Sequence, residues 1–376
     1  MAVEPARAPV GLPASPAPGE PRADEAPRAT RLAWVDATRG YCVAAVVLFH
    51  TVLWYVGGLE SHLHPTAGSV WGAVNTVLGS VRMPMLLAVS GLVLSRQVRE
   101  GLHRSTTVFR GANNYYLYVV WLLVYAAFYA ALQAPYLRHR VDGWDVLVQL
   151  VVPGTTLWYL YGLALYVPLL ALARRLPPWL VLAALVALST WAHAARAPGQ
   201  MWVKIPELFV FFAVGVYGAG SIRRLAGRAG WVTLGATAFV AVGVTALGRF
   251  AGSELADAAL FVARGVAFMA FTVTVVAIAV RWSPVRRLGV GLGRRTLVVY
   301  VMHPLLIALL TLWTREAGGE LVERVVASAA AALALPLVVT AAVVATSVGL
   351  QVVAERAGLS FLFEMPRSWR RRFGRP

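Results

Sequence analysis

The chain has 376 residues, of which 59% are hydrophobic and only 14% charged, with a mean hydropathy of +0.67. This excludes an ordinary soluble enzyme, and apolar runs long enough to cross a membrane as helices recur from Val35 to Val353. The net charge of +17 does not indicate nucleic-acid binding, because the basic residues lie in short loops between apolar runs. The composition therefore predicts an all-α, polytopic transmembrane helix bundle.

The two ends of the chain differ from its apolar middle. Residues 1–30 hold seven prolines and lack the apolar core of a signal peptide, which predicts a disordered, Pro/Ala-rich cytoplasmic tail. Residues 31–355 are predicted to form one transmembrane domain, and residues 356–376 a basic cytoplasmic tail. The single cysteine, Cys42, excludes an intrachain disulfide and a cysteine-based metal site, and we expect no metal.

The apolar runs predict about ten spans. A short segment, Trp144 to Val152, is too short to cross the membrane and is predicted to be interfacial or re-entrant. The predicted spans are 35–56, 70–95, 114–134, 156–173, 178–195, 203–220, 230–248, 256–280, 295–314 and 325–353.

The basic residues predict the orientation of these spans. Most of them lie in the two tails and in every second loop, whereas the intervening loops hold few. By the positive-inside rule both termini are expected to be cytoplasmic. The Ala-, Gly- and Arg-rich composition is typical of a GC-rich bacterial genome, so we expect a protein of the bacterial inner membrane, in contact with the lipid bilayer.

The first span contains three polar residues, Asp36, Arg39 and His50. Arg39 and His50 are separated by about three helical turns, so they share a face with roughly 16 Å of helix axis between them. Asp36 precedes Arg39 by one turn and is predicted to pair with it. Asp36 and Arg39 would mark the interface or line a polar channel. His50 is a candidate general base, since a neutral imidazole titrates near neutral pH.

The second span contains Arg82, Pro84 and the pair Ser90–Gly91. Pro84 removes a backbone hydrogen bond and predicts a kink, while Ser90 and Gly91 favour close approach of another helix. A charge within the membrane is costly, so Arg82 is predicted to serve a site or a substrate.

The ninth span follows three alternating glycines, Gly289, Gly291 and Gly293. No strand precedes them, so a dinucleotide site is not indicated, and we expect a flexible approach to the helix. Tyr300 and His303 are three residues apart and project from one helix face. His303 is either structural or part of the site.

Three other residues have two interpretations each. Glu207, at the start of the sixth span, is predicted to pair with Lys204 or to face a cavity. Trp158 and Tyr159 are predicted to form an aromatic belt at the membrane surface or to pack against an acceptor sugar.

Five blocks in order resemble the membrane acyltransferase 3 family of integral-membrane O-acyltransferases. The resemblance covers about residues 31–355 and implies ten spans. The blocks are Trp34-Val35-Asp36 with Arg39 and His50, RMPMLLAVSGLVLS in the second span, LWYLYGLALY from residue 157, ELFVFFAVGVYGAG from residue 207 and GRRTLVVYVMHP from residue 293.

The resemblance implies transfer of an acyl group, most simply acetyl, from cytosolic acyl-CoA to a hydroxyl of a carbohydrate or cell-surface glycan. Arg39, Arg96 and Arg110 would then contact the donor, and Arg82 or His303 would stabilise the oxyanion. The family often has two arginines before the third helix, whereas here Asn113 and Asn114 follow Arg110.

Two alternatives remain open at this point. The acceptor could be a macrolide-like natural product, because nothing in the sequence distinguishes it from a glycan. The chain could also be a multi-span transporter of a polar or anionic solute, since transporters use buried Arg and His as well. We see no internal repeat of the kind that many transporters carry.

Overall fold

The computed structural model describes residues 25–102, 105–134, 137, 143–197 and 199–370. Every regular element in these ranges is helical, as the composition predicted. The helices are α1 Glu25–His50, α2 Pro65–Glu100, α3 Ser105–Leu132, α4 Gly143–Gln149, α5 Trp158–Leu172, α6 Pro178–Ala194, α7 Lys204–Tyr217, α8 Ala219–Gly227, α9 Trp231–Leu247, α10 Glu254–Ala279, α11 Ser283–Gly293, α12 Thr296–Trp313, α13 Gly319–Val326, α14 Ala329–Arg356 and α15 Arg367–Arg370. Helix α1 thus begins inside the predicted tail 1–30, of which residues 1–24 lie outside the described ranges.

Seven helices of the described chain are long and apolar enough to cross a membrane, or eight if the bent pair α7–α8 forms one span. Each of the ten predicted spans coincides with a helix, but α5, α6 and α7 have only 15, 17 and 14 residues. The axes of α7 and α8 differ by 69°. The hydropathy pattern overestimated the lengths of these three helices, because apolar residues continue beyond the helix ends. Much of α5 and α7 is buried among other helices and need not match the thickness of the lipid.

Helix α1 lies at the centre of the bundle and packs against α2, α11, α12 and α14. Its contact with α11 depends on glycines, because a Cβ at Gly293 would overlap the backbone of Asp36 and one at Gly289 would overlap Ala37. Tyr41 donates a hydrogen bond of 2.6 Å to the carbonyl of Val285. The predicted flexible approach to the ninth span is therefore wrong. The glycines belong to a helix, and their four-residue spacing allows two helix backbones to touch.

Helices α2 and α7 cross closely at Gly91 and Gly215. A Cβ at Gly91 would overlap the carbonyl of Phe212, and one at Gly215 would overlap that of Ala88. The prediction that Ser90–Gly91 allows close helix approach is confirmed. Helix α2 is continuous through Pro84 from Pro65 to Glu100.

The segment from α4 to α5 is held by tyrosine hydroxyls. Tyr115, Tyr118 and Tyr161 donate hydrogen bonds to the consecutive carbonyls of Leu150, Gln149 and Val151. These contacts attach residues 149–151 to α3 and α5, and they are compatible with both the interfacial and the re-entrant interpretation of residues 144–152.

The described part of the C-terminal tail packs against α3. Tyr116 and Trp121 donate hydrogen bonds to the carbonyls of Phe361 and Leu362, and the amide of Met365 donates to Oδ1 of Asn113 at 3.2 Å. Residues 359–366 therefore form part of the bundle wall at the end where α3 begins.

Candidate active site

Two histidines from distant parts of the chain meet where α1 lies beside α12. Nε2 of His303 is 3.0 Å from Nδ1 of His50, and Nδ1 of His303 is 3.1 Å from the carbonyl oxygen of Val299. His303 is fully buried. A carbonyl can only accept, so Nδ1 of His303 carries the proton and its Nε2 accepts from Nδ1–H of His50. In this neutral pair the basic lone pair of His50 is on Nε2.

This hydrogen-bond pattern separates the roles of the two rings. His50 Nε2 is suited to accept a proton, and His303 fixes the tautomer and orientation of His50. Both ring nitrogens of His303 are already engaged, so it does not donate to an oxyanion in this arrangement. The oxyanion role of His303 stays a prediction, and this arrangement favours a positioning role instead.

The backbone changes its winding directly after His50. Thr51–Tyr55 form a π-helical turn, a feature that often marks functional sites. The Trp54 ring stacks on His50 with a centroid distance of 4.1 Å and an interplanar angle of 25°. The sequence analysis missed Trp54, although its four-residue spacing from His50 was the available signal.

Arg39 lines a cavity of about 350 Å³, here called the Arg39 cavity. Arg39 donates a hydrogen bond of 3.3 Å to Oγ1 of Thr296, the first residue of α12. Asp36 does not line this cavity, and no ion pair between Asp36 and Arg39 forms in the described structure. The prediction that Asp36 pairs with Arg39 is therefore wrong. Arg39 bonds across to α12 and so carries its charge into the cavity.

The lining of the Arg39 cavity combines polar and apolar side chains. Arg110, Asn113, Asn114 and Gln97 supply the polar groups together with Arg39. The lining also includes Val43, Leu86, Ser90, Val93, Leu94, Leu117, Tyr159, Leu160, Leu163, Thr296, Leu297, Tyr300 and Phe363, the last from the C-terminal segment.

Arg96 lies outside this cavity. Its side chain is 85% exposed, and its Nε is 3.0 Å from Oε1 of Glu100, one turn further along α2. Arg96 is therefore not among the residues that line the Arg39 cavity, and its contact with the donor stays a prediction.

A smaller chamber of about 100 Å³ adjoins His50, here called the His50 chamber. Tyr300 lines both this chamber and the Arg39 cavity, and its hydroxyl donates a hydrogen bond to the carbonyl of Thr156. The Tyr300 ring is 6.0 Å from that of His303, so the predicted shared helix face is confirmed. Tyr300 therefore stands between the two spaces.

Trp158 and Tyr159 are buried in the bundle and do not form a lipid-facing belt. Trp158 lines the His50 chamber, whereas Tyr159 lines the Arg39 cavity. The Tyr159 hydroxyl is 2.8 Å from that of Ser90. The belt interpretation is wrong because α5 begins inside the protein, after the segment held by α3.

On the far side of the chamber opens a larger cavity of about 600 Å³, here called the Arg82 cavity. Arg82 lines both spaces and is only 9% exposed. Its guanidinium carbon lies 3.3 Å from the centre of the Phe49 ring, and its Nη1 donates to the carbonyl of Leu78 at 3.1 Å. Phe49 in turn touches His50, with ring centres 5.3 Å apart.

Glu207 is the centre of a charge cluster at the same cavity. It is 1% exposed, and its Oε1 lies 2.7 Å from Nδ1 of His193 and 3.2 Å from Nη1 of Arg196. Lys204 is 3.7 Å from Oε2. Both predicted positions of Glu207 are observed. It pairs with Lys204, and it also lines the His50 chamber. His193 and Arg196 were missed, because nothing local links α6 to α7.

The structure thus sorts the predicted site residues by location. His50, Arg82, Trp158, Glu207 and Tyr300 line the His50 chamber, with His303 behind His50. The Arg39 cavity collects Arg39, Arg110 and Tyr159 with the other face of Tyr300. Asp36 and Arg96 lie in neither. Tyr300 borders both spaces, whereas His50 lines only the His50 chamber.

Comparison with known proteins relates most of the chain to one family. The family model described as an acyltransferase domain, Acyl_transf_3, matches residues 32–349. Inner membrane protein YcfT of Escherichia coli strain K12 is 28% identical over 68 residues. That match covers 17% of this chain and 19% of the relative, so it extends over less than a fifth of either protein. No solved structure matches.

The family match covers most of the chain and includes His303 and the residues of both cavities except Phe363. Of the helices that carry these residues, α1, α2, α3, α10 and α12 are long and apolar enough to cross a membrane. The chain belongs to the acyltransferase 3 family.

Proposed function

We propose that this protein transfers an acyl group, most simply acetyl, from acyl-CoA to a hydroxyl of a carbohydrate or cell-surface glycan. The observation that carries the proposal is the hydrogen-bonded pair His50–His303 at the His50 chamber, which shares Tyr300 with the cavity that Arg39 and Arg110 line. Acyl transfer to a hydroxyl needs a base beside the acceptor, and His50 is placed to serve as that base.

The Arg39 cavity is proposed to take the donor. The positive-inside rule predicts that the end of the bundle that holds Arg39 and Arg110 faces the cytosol, where acyl-CoA is available. Hydrogen-bond donors for phosphate oxygens come from Arg39, Arg110 and the amides of Asn113 and Asn114. The apolar side chains of the lining suit an acyl-pantetheine arm. The volume fits this arm and not the whole coenzyme, so the nucleotide would lie at the mouth of the cavity. The distance along α1 from Arg39 to His50, about 16 Å, suits such an arm.

The chemistry follows from the tautomer of His50. Its Nε2 takes the proton of the acceptor hydroxyl, and the oxygen attacks the thioester carbonyl. The C–S bond then breaks, and the imidazolium returns the proton to the departing CoA thiolate. His303 stabilises the imidazolium by accepting from Nδ1–H throughout. Trp158 and Glu207 are proposed to contact the acceptor, with Tyr300 at the boundary between donor and acceptor.

The reaction is tested with purified protein, radiolabelled acetyl-CoA and a panel of hydroxyl compounds that includes glycans and macrolide-like natural products. We expect CoA release together with labelled acceptor. Uptake of a solute into vesicles without CoA release would instead indicate the transporter alternative.

The placement of two arginines gives a matched prediction. We expect Arg39→Gln to raise the KM for acetyl-CoA by about tenfold, because one charged hydrogen-bond donor to the coenzyme is lost. Arg96→Gln should leave the KM unchanged, since Arg96 faces away from the cavity and bonds to Glu100. Steady-state rates of CoA release at varied donor concentration measure both. Equal effects of the two substitutions would contradict the proposed donor site.

The positioning role of His303 gives a second prediction. His303→Leu removes the acceptor for Nδ1–H of His50, so kcat should fall roughly ten- to hundred-fold with little change in the KM for acetyl-CoA. His303→Gln should retain more activity, because an amide can accept from His50 and donate to Val299 as His303 does. The pH profile of kcat should shift in the Leu variant only. A similar loss in both variants, with an unchanged profile, would indicate a packing role.

A further inference from the structure

The Arg82 cavity holds one buried cation without a matching carboxylate. In the described residues no Asp or Glu oxygen lies within ion-pair distance of Arg82, and its Nε has no hydrogen-bond partner. The side chain is nine-tenths buried and lines both the His50 chamber and the Arg82 cavity. The contacts of its guanidinium are the Leu78 carbonyl and the face of Phe49.

Each of the other cations that line this cavity lies within ion-pair distance of a carboxylate. Arg196 and Lys204 share the carboxylate of Glu207. Arg264 is 3.0 Å from Asp257, which also lies 3.8 Å from Nε2 of His193. Glu60 lines the cavity as well, but it is an exposed residue. The unmatched charge is therefore positive, and it lies at the buried side of the cavity next to the base.

An unmatched buried guanidinium is costly, and stacking on one aromatic ring offsets only part of the cost. An ionised group inside a membrane protein is retained where a ligand or a reaction uses it. Arginine presents its donors in a planar fork that matches the oxygens of a carboxylate or phosphate. The side chain thus provides half of an ion pair whose other half has to come from a ligand.

Given the proposed transfer reaction, we propose that the acceptor is a hydroxyl compound bearing an anionic group, a carboxylate or a phosphate, and that Arg82 binds this group. The Phe49 ring lies between Arg82 and His50 and touches both. An anion on Arg82 would therefore place a hydroxyl of the same molecule, one ring width away, beside Nε2 of His50. Arg82 would select the acceptor, and His50 would activate it.

The test compares acidic sugar probes with the corresponding neutral sugars. We would measure binding of p-nitrophenyl β-D-glucuronide and p-nitrophenyl β-D-glucoside to the detergent-purified protein by thermal stabilisation, with glucose 6-phosphate against glucose as the phosphate arm. We expect the acidic probe of at least one pair to bind about tenfold more tightly than its neutral partner. A preference in the glucuronide pair indicates that the site binds a carboxylate, and a preference in the glucose 6-phosphate pair indicates that it binds a phosphate.

Two substitutions assign that preference to Arg82. Arg82→Gln should remove it, while Arg82→Lys, which keeps the charge, should retain part of it and covers the case in which the Gln variant does not fold. The matched control is Arg324→Gln on α13, an exposed arginine outside the cavity, which should behave as the unmodified protein.

Equal binding of acidic and neutral probes would overturn the proposal. So would an Arg82→Gln variant that loses turnover but keeps the preference, because Arg82 would then act on the oxyanion only. Acetyl transfer is measured separately with labelled acetyl-CoA. A charge preference without any transfer would leave the anion site standing and contradict the proposed reaction.

Discussion

Replacing His50 by alanine is expected to lower acyl transfer by about a thousandfold or more, while the protein still inserts and folds. Positioned acid–base catalysis contributes about 10²- to 10⁴-fold, and the hydrogen-bond pattern assigns the accepting nitrogen to His50 alone. CoA release by the purified variant measures the loss. Binding of acetyl-CoA should be unchanged, because His50 does not line the Arg39 cavity.

A second histidine of the chain provides the control. His62 is half exposed, lies 3.5 Å from Glu323 and lines neither the His50 chamber nor the Arg39 cavity. His62→Ala should keep full activity. If His50→Ala retained transfer at a comparable rate, the base would have to be another group, and the His50–His303 pair would be structural.

Replacing Glu207 by glutamine is expected to give the largest loss of stability among the site residues. Removing one member of a buried charge pair costs about 3–5 kcal/mol, because the partner charge stays behind without compensation. Arg196 is half exposed and Lys204 is one-third exposed, so water compensates part of their charge. We therefore expect a value near the lower end, about 3 kcal/mol.

The apparent melting temperature of the detergent-purified protein measures this effect, with Glu320→Gln as the control. Glu320 is exposed on α13, outside the cluster, so its replacement should leave the melting temperature unchanged. A Glu207→Gln variant as stable as that control would mean that the cations of the cluster are already compensated by solvent, and that Glu207 serves the ligand only.

The sequence alone determined the class of the protein and much of its layout. Apolar runs predicted where each long helix lies, since burying a backbone in lipid requires continuous helical hydrogen bonds. Helical periodicity placed Arg39 and His50 on one face of α1 and Tyr300 beside His303 on α12. The sequence singled out Arg82 because a charge among apolar residues of a membrane span is costly and is retained where a function uses it. The ends of α5 and α7 were not predictable, since apolar residues continue into loops that the bundle buries.

What only the tertiary structure decided is which helix faces meet. His50 and His303 are 253 positions apart, and the partners of Glu207 come from α6, from the loop that follows α6 and from its own helix. Local periodicity fixes the directions of side chains within one helix but not the rotation of that helix against its neighbours. For the same reason the sequence suggested an Asp36–Arg39 pair and a donor role for Arg96. The packing of α1 on α11 and α12 instead turned Arg39 toward Thr296, and the path of α2 left Arg96 outside the cavity.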